Sequence, residues 1–237
     1  GFAEYVLVRG DMAIVLPEGT EPTIGAALSV SYTTAMVALA ESTKLAAGET
    51  LLVHAAAGGA GLAAVEIGKA LGARVIATAG GPEKCALARA HGADMAIDYR
   101  DSDWVAAIRT ETSSKGADVI FDPVGGEVTI QSLKCIAWGG RLLVVGFSSG
   151  TIPAIPANRL LLRRASAIGV YWNHDHDGPM LQRVTARLMA LLAERRLSPH
   201  VDTRHRFEDL PAALGDLAAR RSMGKLVLRF DESRGAL

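Results

Sequence analysis

Apolar runs of strand length recur along the chain at fairly even intervals. TLLVHAA (50–56), RVIATA (74–79), MAIDY (95–99), ADVIFDPV (117–124), RLLVVGF (141–147) and ASAIGVYW (165–172) are rich in Val, Ile and Leu and show little polar alternation. That pattern predicts strands buried on both faces. Between them, GLAAVEIGKALG (61–72), PEKCALARAHGA (82–93), SDWVAAIRTET (102–112) and EVTIQSLKCIAWGG (127–140) carry helical spacing. The second opens on Pro and several close on Gly, as helix starts and stops do. Strand and helix alternating in this way predict an α/β chain with a doubly wound parallel sheet.

The two ends read differently. Residues 2–16, FAEYVLVRGDMAIVL, suggest two short strands with a turn at Arg9-Gly10-Asp11, followed by a loop from Pro17 to Pro22. After Trp172 come a polar loop, NHDHDGP, and a long amphipathic helix from about 179 to 196. A strand near 203–207, a short helix opened by Asp209 and Pro211, and a last strand GKLVLRF complete the pattern. These outer strands have no evident sheet of their own, so a partner outside the sequence is expected.

Composition narrows the function classes. With 237 residues, 49% of them apolar and 21% charged, the chain can bury a substantial core. Its formal net charge is zero with Lys and Arg dispersed, which gives no footprint for nucleic acid or an anionic membrane. Cys85 and Cys135 are too few for a disulfide framework, and a reducing, cytoplasmic setting is expected. The opening GFAEYVLVRGD lacks the basic end and apolar centre of a signal peptide, and the apolar runs are strand-sized, so neither export nor a membrane span is expected.

The chemistry concentrates at residues 54–84. The first long apolar strand runs into Gly58-Gly59-Ala60-Gly61 and then a helix, giving Gly59-x-Gly61-x-x-Ala64. Glycines there let backbone approach a pyrophosphate, whose charge meets free amides at a helix N-terminus. The alternative is a tight turn that holds nothing; the strand-turn-helix context favours the dinucleotide reading. An NAD site places an acid about 20 residues on, at the end of the second strand, to grip the ribose. Thr78-Ala79-Gly80-Gly81 stands there instead, and Lys84 follows in the next helix. A 2′-phosphate would meet no carboxylate and could pair with Lys84, which favours NADPH over NADH; otherwise Lys84 is a solvated helix residue. Tyr99 either faces the adenosine or caps the core.

HAAAGGAGLAAVEIGKALGARVIATAG, with DYRD (98–101), DPVGG (122–126), VVGFSSG (144–150) and GKLVLRF, resembles the zinc-independent quinone oxidoreductase (zeta-crystallin-like) branch of the medium-chain dehydrogenase/reductase superfamily. The likeness runs from Gly1 to about Phe230. It implies a Rossmann domain over 24–172, with remnants of a GroES-like, β-rich catalytic domain from both ends of the chain, 1–23 and 173–237. It implies hydride transfer from NADPH to a quinone or conjugated carbonyl. By the same resemblance Gly58, Gly59, Ala60, Gly61 and Leu62 hold the pyrophosphate, and Lys84 and Tyr99 face the 2′-phosphate and adenosine ribose. Thr34 lies near the nicotinamide, and Val124 with Gly146, Phe147 and Ser148 lines its ribose and carboxamide. From residue type alone, Thr34 equally suits a helix position bonded to its own backbone, and Phe147 a core aromatic.

Departures from the family pattern shape the expectations. The chain begins where the family's last GroES-like strands begin, so most of the catalytic domain, and half of the substrate pocket, is expected to lie outside it. Glu66 stands where the family often has Gln, a change expected to concern helix packing. Gly80-Gly81 replaces a more usual Ser or Thr and removes a hydroxyl donor near the phosphate. Zinc-dependent relatives carry a Cys ligand four residues before the residue matching Thr34; Val30 occupies that place and cannot ligate, so no metal is expected. His174, Asp175, His176 and Asp177 read as a solvated loop and His54 as a structural residue. No side chain stands out as a catalytic acid, in keeping with chemistry carried by the cofactor. A nucleotide-binding module without turnover, or an enoyl-thioester reductase of the same superfamily, are the alternative functions. A homodimer through the edge strand ASAIGVYW is expected, with Tyr171 and Trp172 near the seam or the nicotinamide, or else buried beneath the 179–196 helix.

Overall fold

The computed structural model describes residues 2, 3 and 5–230. Six of the apolar runs become strands: β1 (Thr50–Val53), β2 (Arg74–Ala79), β3 (Met95–Asp98), β4 (Ala117–Asp122), β5 (Ile136–Val144) and β6 (Ser166–Gly169). They form one parallel sheet in the order β3-β2-β1-β4-β5-β6. Leu51 pairs with Val75 on one side and Val119 on the other. Since side chains alternate across a strand, Leu51, Val53, Val75, Ala77, Val119 and Phe121 feed one core, and Leu52, Ile76 and Ile120 feed a second on the opposite face. Both faces therefore need apolar residues, which is why the strands show no polar alternation.

Helices cover the two faces. On the first lie α1 (Pro22–Met36), α2 (Gly59–Ala70), α3 (Pro82–Ala90) and α7 (His174–Ala193). On the second lie α4 (Trp104–Glu111), α5 (Gly126–Ser132) and α6 (Ala157–Arg163). The chain is thus doubly wound, as the alternation predicts. Burial of each large side chain such as Leu51 or Ile76 contributes roughly 1.5–3 kcal/mol.

Four local expectations are corrected. The helix expected over 127–140 ends at Ser132, and β5 begins at Ile136, because Cys135, Ile136 and Ala137 bury beside Ala117. Residues 2–16 form no strand among the described residues, only a short 3-10 turn over Gly10–Met12, since no described neighbour supplies the second half of a ladder. The NHDHDGP segment is not a loop: α7 starts at His174, with the Asn173 side chain accepting from the Asp175 amide, and kinks at Asp177, before Pro179. The strand expected near 203–207 is instead β7 (Val201–Asp202), which pairs in parallel with β8 (Lys225–Leu226), so the closing strands do own a small sheet. Between them runs α8 (Leu210–Ala218).

The apolar runs are also not all strand-sized. α1 continues in a π-helical turn, Val37–Ser42, and the whole Pro22–Ser42 stretch has a mean hydropathy of 1.4, long and apolar enough by composition to cross a bilayer. Its Tyr32, Ala35, Met36 and Leu39 are buried in the first core.

Candidate functional site

In an open α/β sheet, the carboxyl ends of the strands at the point where winding reverses form a crevice. Here that point lies between β1 and β4. β1 leads into the glycine turn, in which the Gly58 amide donates to the Ala55 carbonyl (2.9 Å) and the Leu62 amide to the Gly58 carbonyl (2.8 Å). Gly58 is the N-cap of α2, so the amides of Gly59, Ala60 and Gly61 have no intrahelical acceptor and suit an anion. A Cβ on Gly61 would stand 2.7 Å from Ala56 Cα, so only glycine permits the helix to approach the strand this closely.

His54 supports the turn from below. It is buried, with Nδ1 2.8 Å from Thr78 Oγ1 and Nε2 2.9 Å from Ser132 Oγ, and its ring meets Trp104 edge-on at 4.9 Å. Burial pushes its pKa down to about 4, so the ring is neutral at pH 7. The structural reading of His54 agrees with this placement.

At the end of β2 the two glycines make room rather than merely removing a hydroxyl. A Cβ on Gly80 would lie 2.6 Å from the Tyr99 hydroxyl, and one on Gly81 (φ +107°) would collide with the Arg100 guanidinium. Tyr99 and Arg100 thus fold over this glycine pair. Arg100 is braced by Asp98 at 3.2 Å, and the hydrogen bond from Arg100 draws the Asp98 pKa down to about 2. Lys84 does not extend into solvent: its Nζ donates to the Arg220 carbonyl at 2.5 Å. Burial, then the charges of Arg100 and Arg220, hold its pKa below the usual lysine value. The sequence reading picks out Lys84 and Tyr99 here and misses Arg100 and Arg220. Arg100 is the residue after Tyr99 in DYRD, and Arg220 arrives from the far end of the chain.

The remaining predicted residues lie at neighbouring strand ends. The Val124 amide donates to Asp122 Oδ1 at 2.8 Å, and Ser148 and Ser149 amides donate to the Pro123 and Val124 carbonyls at 3.0 and 2.9 Å. These bonds tie the end of β4 to the Gly146-Phe147-Ser148 segment after β5. Phe147 is 41% exposed, so it is not the core aromatic that its type also allows. Thr34, on α1, accepts a hydrogen bond from Trp172 Nε1 at 3.0 Å rather than bonding only within its helix. Trp172 packs on the first core, whereas Tyr171 is 81% exposed and does not lie beneath α7.

Glu66 does more than pack. Buried on α2, it accepts from the Tyr32 hydroxyl (2.7 Å) and the Ser198 amide (3.1 Å), and its Oε1 lies 2.6 Å from His91 Nδ1. Burial and the Glu66 charge raise the Tyr32 pKa, so Tyr32 remains a donor. For a metal, Val30 is exposed on α1, and among the described residues no three His, Cys, Asp or Glu side chains converge.

The sequence matches the family described as zinc-binding dehydrogenase over residues 59–192, more than half of the chain. It is 37% identical to quinone oxidoreductase-like protein 2 of Bos taurus, over 96% of this chain and 66% of that protein. It is 32% identical to quinone oxidoreductase of Rattus norvegicus, over 96% of this chain and 69% of that one. The chain belongs to the quinone oxidoreductase branch of the medium-chain dehydrogenase/reductase superfamily. Among solved quinone oxidoreductases, that of Thermus thermophilus superposes with a TM-score of 0.82 at 35% identity, covering 97% of this chain and 73% of the other. The Escherichia coli quinone oxidoreductase complexed with NADPH gives 0.82 at 28% identity, covering 92% and 68%. The chain spans about two thirds of the length of the quinone oxidoreductases it matches.

Proposed function

We propose that this chain supplies the cofactor site of an NADPH-dependent oxidoreductase that reduces a quinone or a conjugated carbonyl compound without zinc. The observation that carries the proposal is the cationic group at the end of β2. The Arg100 guanidinium lies against Gly81, and Lys84 feels the charges of both Arg100 and Arg220, where an NAD-type site would present a carboxylate. A 2′-phosphate seated among them relieves their mutual repulsion and accepts charge-assisted hydrogen bonds. Relatives named quinone oxidoreductases, two of them solved with NADPH, support the same reading.

The chain's residues then have distinct tasks. The turn from Gly58 to Leu62 presents amides to the diphosphate, and Lys84, Tyr99 and Arg100 hold the adenosine end. Thr34, Val124 and Gly146-Phe147-Ser148 line the strand ends toward the nicotinamide, where Trp172 fixes the Thr34 hydroxyl. NADPH supplies a hydride from its nicotinamide ring. The protein contributes position and exclusion of water, and Asp122 at the end of β4 is buried and engaged by the Val124 and Gly125 amides and the Thr129 hydroxyl. β6, at the edge of the sheet, with exposed Tyr171, Leu161 and Leu162 nearby, fits a homodimer seam.

Titration with NADPH and NADH tests the reading. Wild type should favour NADPH, and Lys84→Ala should weaken NADPH by about 10–100-fold, the worth of a charged hydrogen bond, while leaving NADH nearly unchanged. Equal affinities in wild type would refute the 2′-phosphate site. Turnover is tested by NADPH oxidation with 9,10-phenanthrenequinone or a simple enone; binding without oxidation would identify a nucleotide-binding module.

A further inference from the structure

Two histidines lie where the closing strand meets the rest of the fold. His91, after α3, and His200, just before β7, meet edge-on with ring centroids 5.6 Å apart. One carboxylate anchors both segments: Glu66 Oε1 lies 2.6 Å from His91 Nδ1, and Oε2 accepts from the Ser198 amide at 3.1 Å, two residues before His200. His200 in turn seats β8. Its carbonyl accepts from the Lys225 amide at 2.9 Å, and a Cβ on Gly224 (φ +67°) would stand 2.7 Å from its ring, so the strand lies directly against the imidazole. The Gly224 amide also donates to the Ala57 carbonyl at 2.8 Å, and Gly224 forms an isolated parallel bridge with Gly58. The last strand thus rests on His200 on one side and on the glycine turn on the other.

The surroundings of His200 favour its neutral form. It is half-buried, and no hydrogen bond engages its ring nitrogens among the described residues. His91 faces it from the end of α3, and Arg195, Arg196 and Lys69 line the cavity beside His91. The nearby carboxylates are taken up elsewhere: Glu66 by Tyr32, His91 and Ser198, and Asp202, on β7, by Arg204. Burial, and then the His91 charge, hold the His200 pKa below the ordinary histidine value, with Asp202 acting in the opposite direction. A conformation that frees His200 from His91 and Gly224 therefore binds a proton more tightly than the packed one. The packed form is fully favoured above pH 6.5 and loses that advantage as pH falls through the lowered value.

We propose that the His91–His200 pair is a proton-operated latch on the closing strand: with both rings charged, His200 leaves Gly224, and β8 lifts from the glycine turn while the six-stranded sheet stays folded. The latch works on the chain itself, with or without a nucleotide.

Amide hydrogen exchange on the full chain, followed by NMR from about pH 7 to 5.5 and corrected for the intrinsic pH dependence of exchange, tests it. That window lies above the His54 value of about 4. In wild type, opening at Gly224 and Lys225 should increase as pH falls, by no more than about 10-fold per pH unit for one proton, while the amides of β1 and β4 stay protected. His200→Gln should abolish the increase. His91→Gln removes the facing charge, so the His200 ring should titrate at a higher pH than in wild type and the increase at Gly224 should shrink; this variant decides the matter if His200→Gln does not fold. A flat response in wild type, an increase that survives in His200→Gln, an unchanged His200 titration in His91→Gln, or an equal loss of protection in β1 and β4 overturns the latch.

Discussion

His54 is a buried imidazole with both nitrogens engaged, by Thr78 and Ser132, and with the Asp122 charge as its one electrostatic support. Its pKa of about 4 in the fold lies below the ordinary histidine value, so the unfolded chain takes up the proton first. The stability tied to neutral His54 is present above pH 6.5 and is lost as pH falls towards 4, on the order of 3 kcal/mol in all. In urea unfolding at pH 7 and about pH 4.5, His54→Gln should therefore show a smaller drop than wild type; an identical drop would mean that His54 does not titrate in this way. At this scale the sequence was most informative where chemistry is local. The glycine turn and Lys84 can be singled out as candidates because spacing alone places them. Arg220 cannot, since it reaches Lys84 through tertiary contact from an element far off in sequence.

Among elements, α2 is held from three sides through Glu66. Tyr32 on α1, His91 after α3 and Ser198 after α7 all bond the same carboxylate. Removing the carboxylate orphans a buried phenol and opens a cavity, so Glu66→Ala should cost roughly 3–5 kcal/mol in chemical denaturation. Glu66→Gln keeps the volume and can accept from Tyr32 while donating to His91, and should cost less than about 1.5 kcal/mol. Equal costs would show that the carboxylate charge, which both variants remove, matters at this position rather than the volume. Strands and helices of the sheet were readable because burial on both faces forces continuous apolar runs. α1 is not legible in the sequence, since its small and apolar residues, PTIGAALSVSYTTAM, lack a polar stripe when most of the helix is covered. Residues 2–16 read as strands in sequence but form none among the described residues, because β-rich composition says nothing about whether a pairing partner is at hand.

At the scale of the whole fold, the sheet of the described residues ends at β6 with one side of its ladder open. A stable dimer through that edge needs about 1,200–2,000 Å² of total buried surface, and exposed Tyr171, Leu161 and Leu162 offer apolar area for it. Sedimentation of wild type should give a dimer, and Tyr171→Asp should shift it towards monomer with a folding stability change within about 0.5 kcal/mol. A monomeric wild type would remove the edge as a seam.

The bridge between Gly58 and Gly224 also has a consequence in time. During synthesis at roughly 5–20 residues per second, about 10–30 s separate the emergence of the turn from that of the strand that crosses it. Until then the β1–α2 turn lacks this backbone partner. Under the NADPH reading, a ribosome-bound chain stalled before Gly224 should thus hold the nucleotide more weakly than one in which the bridge has formed.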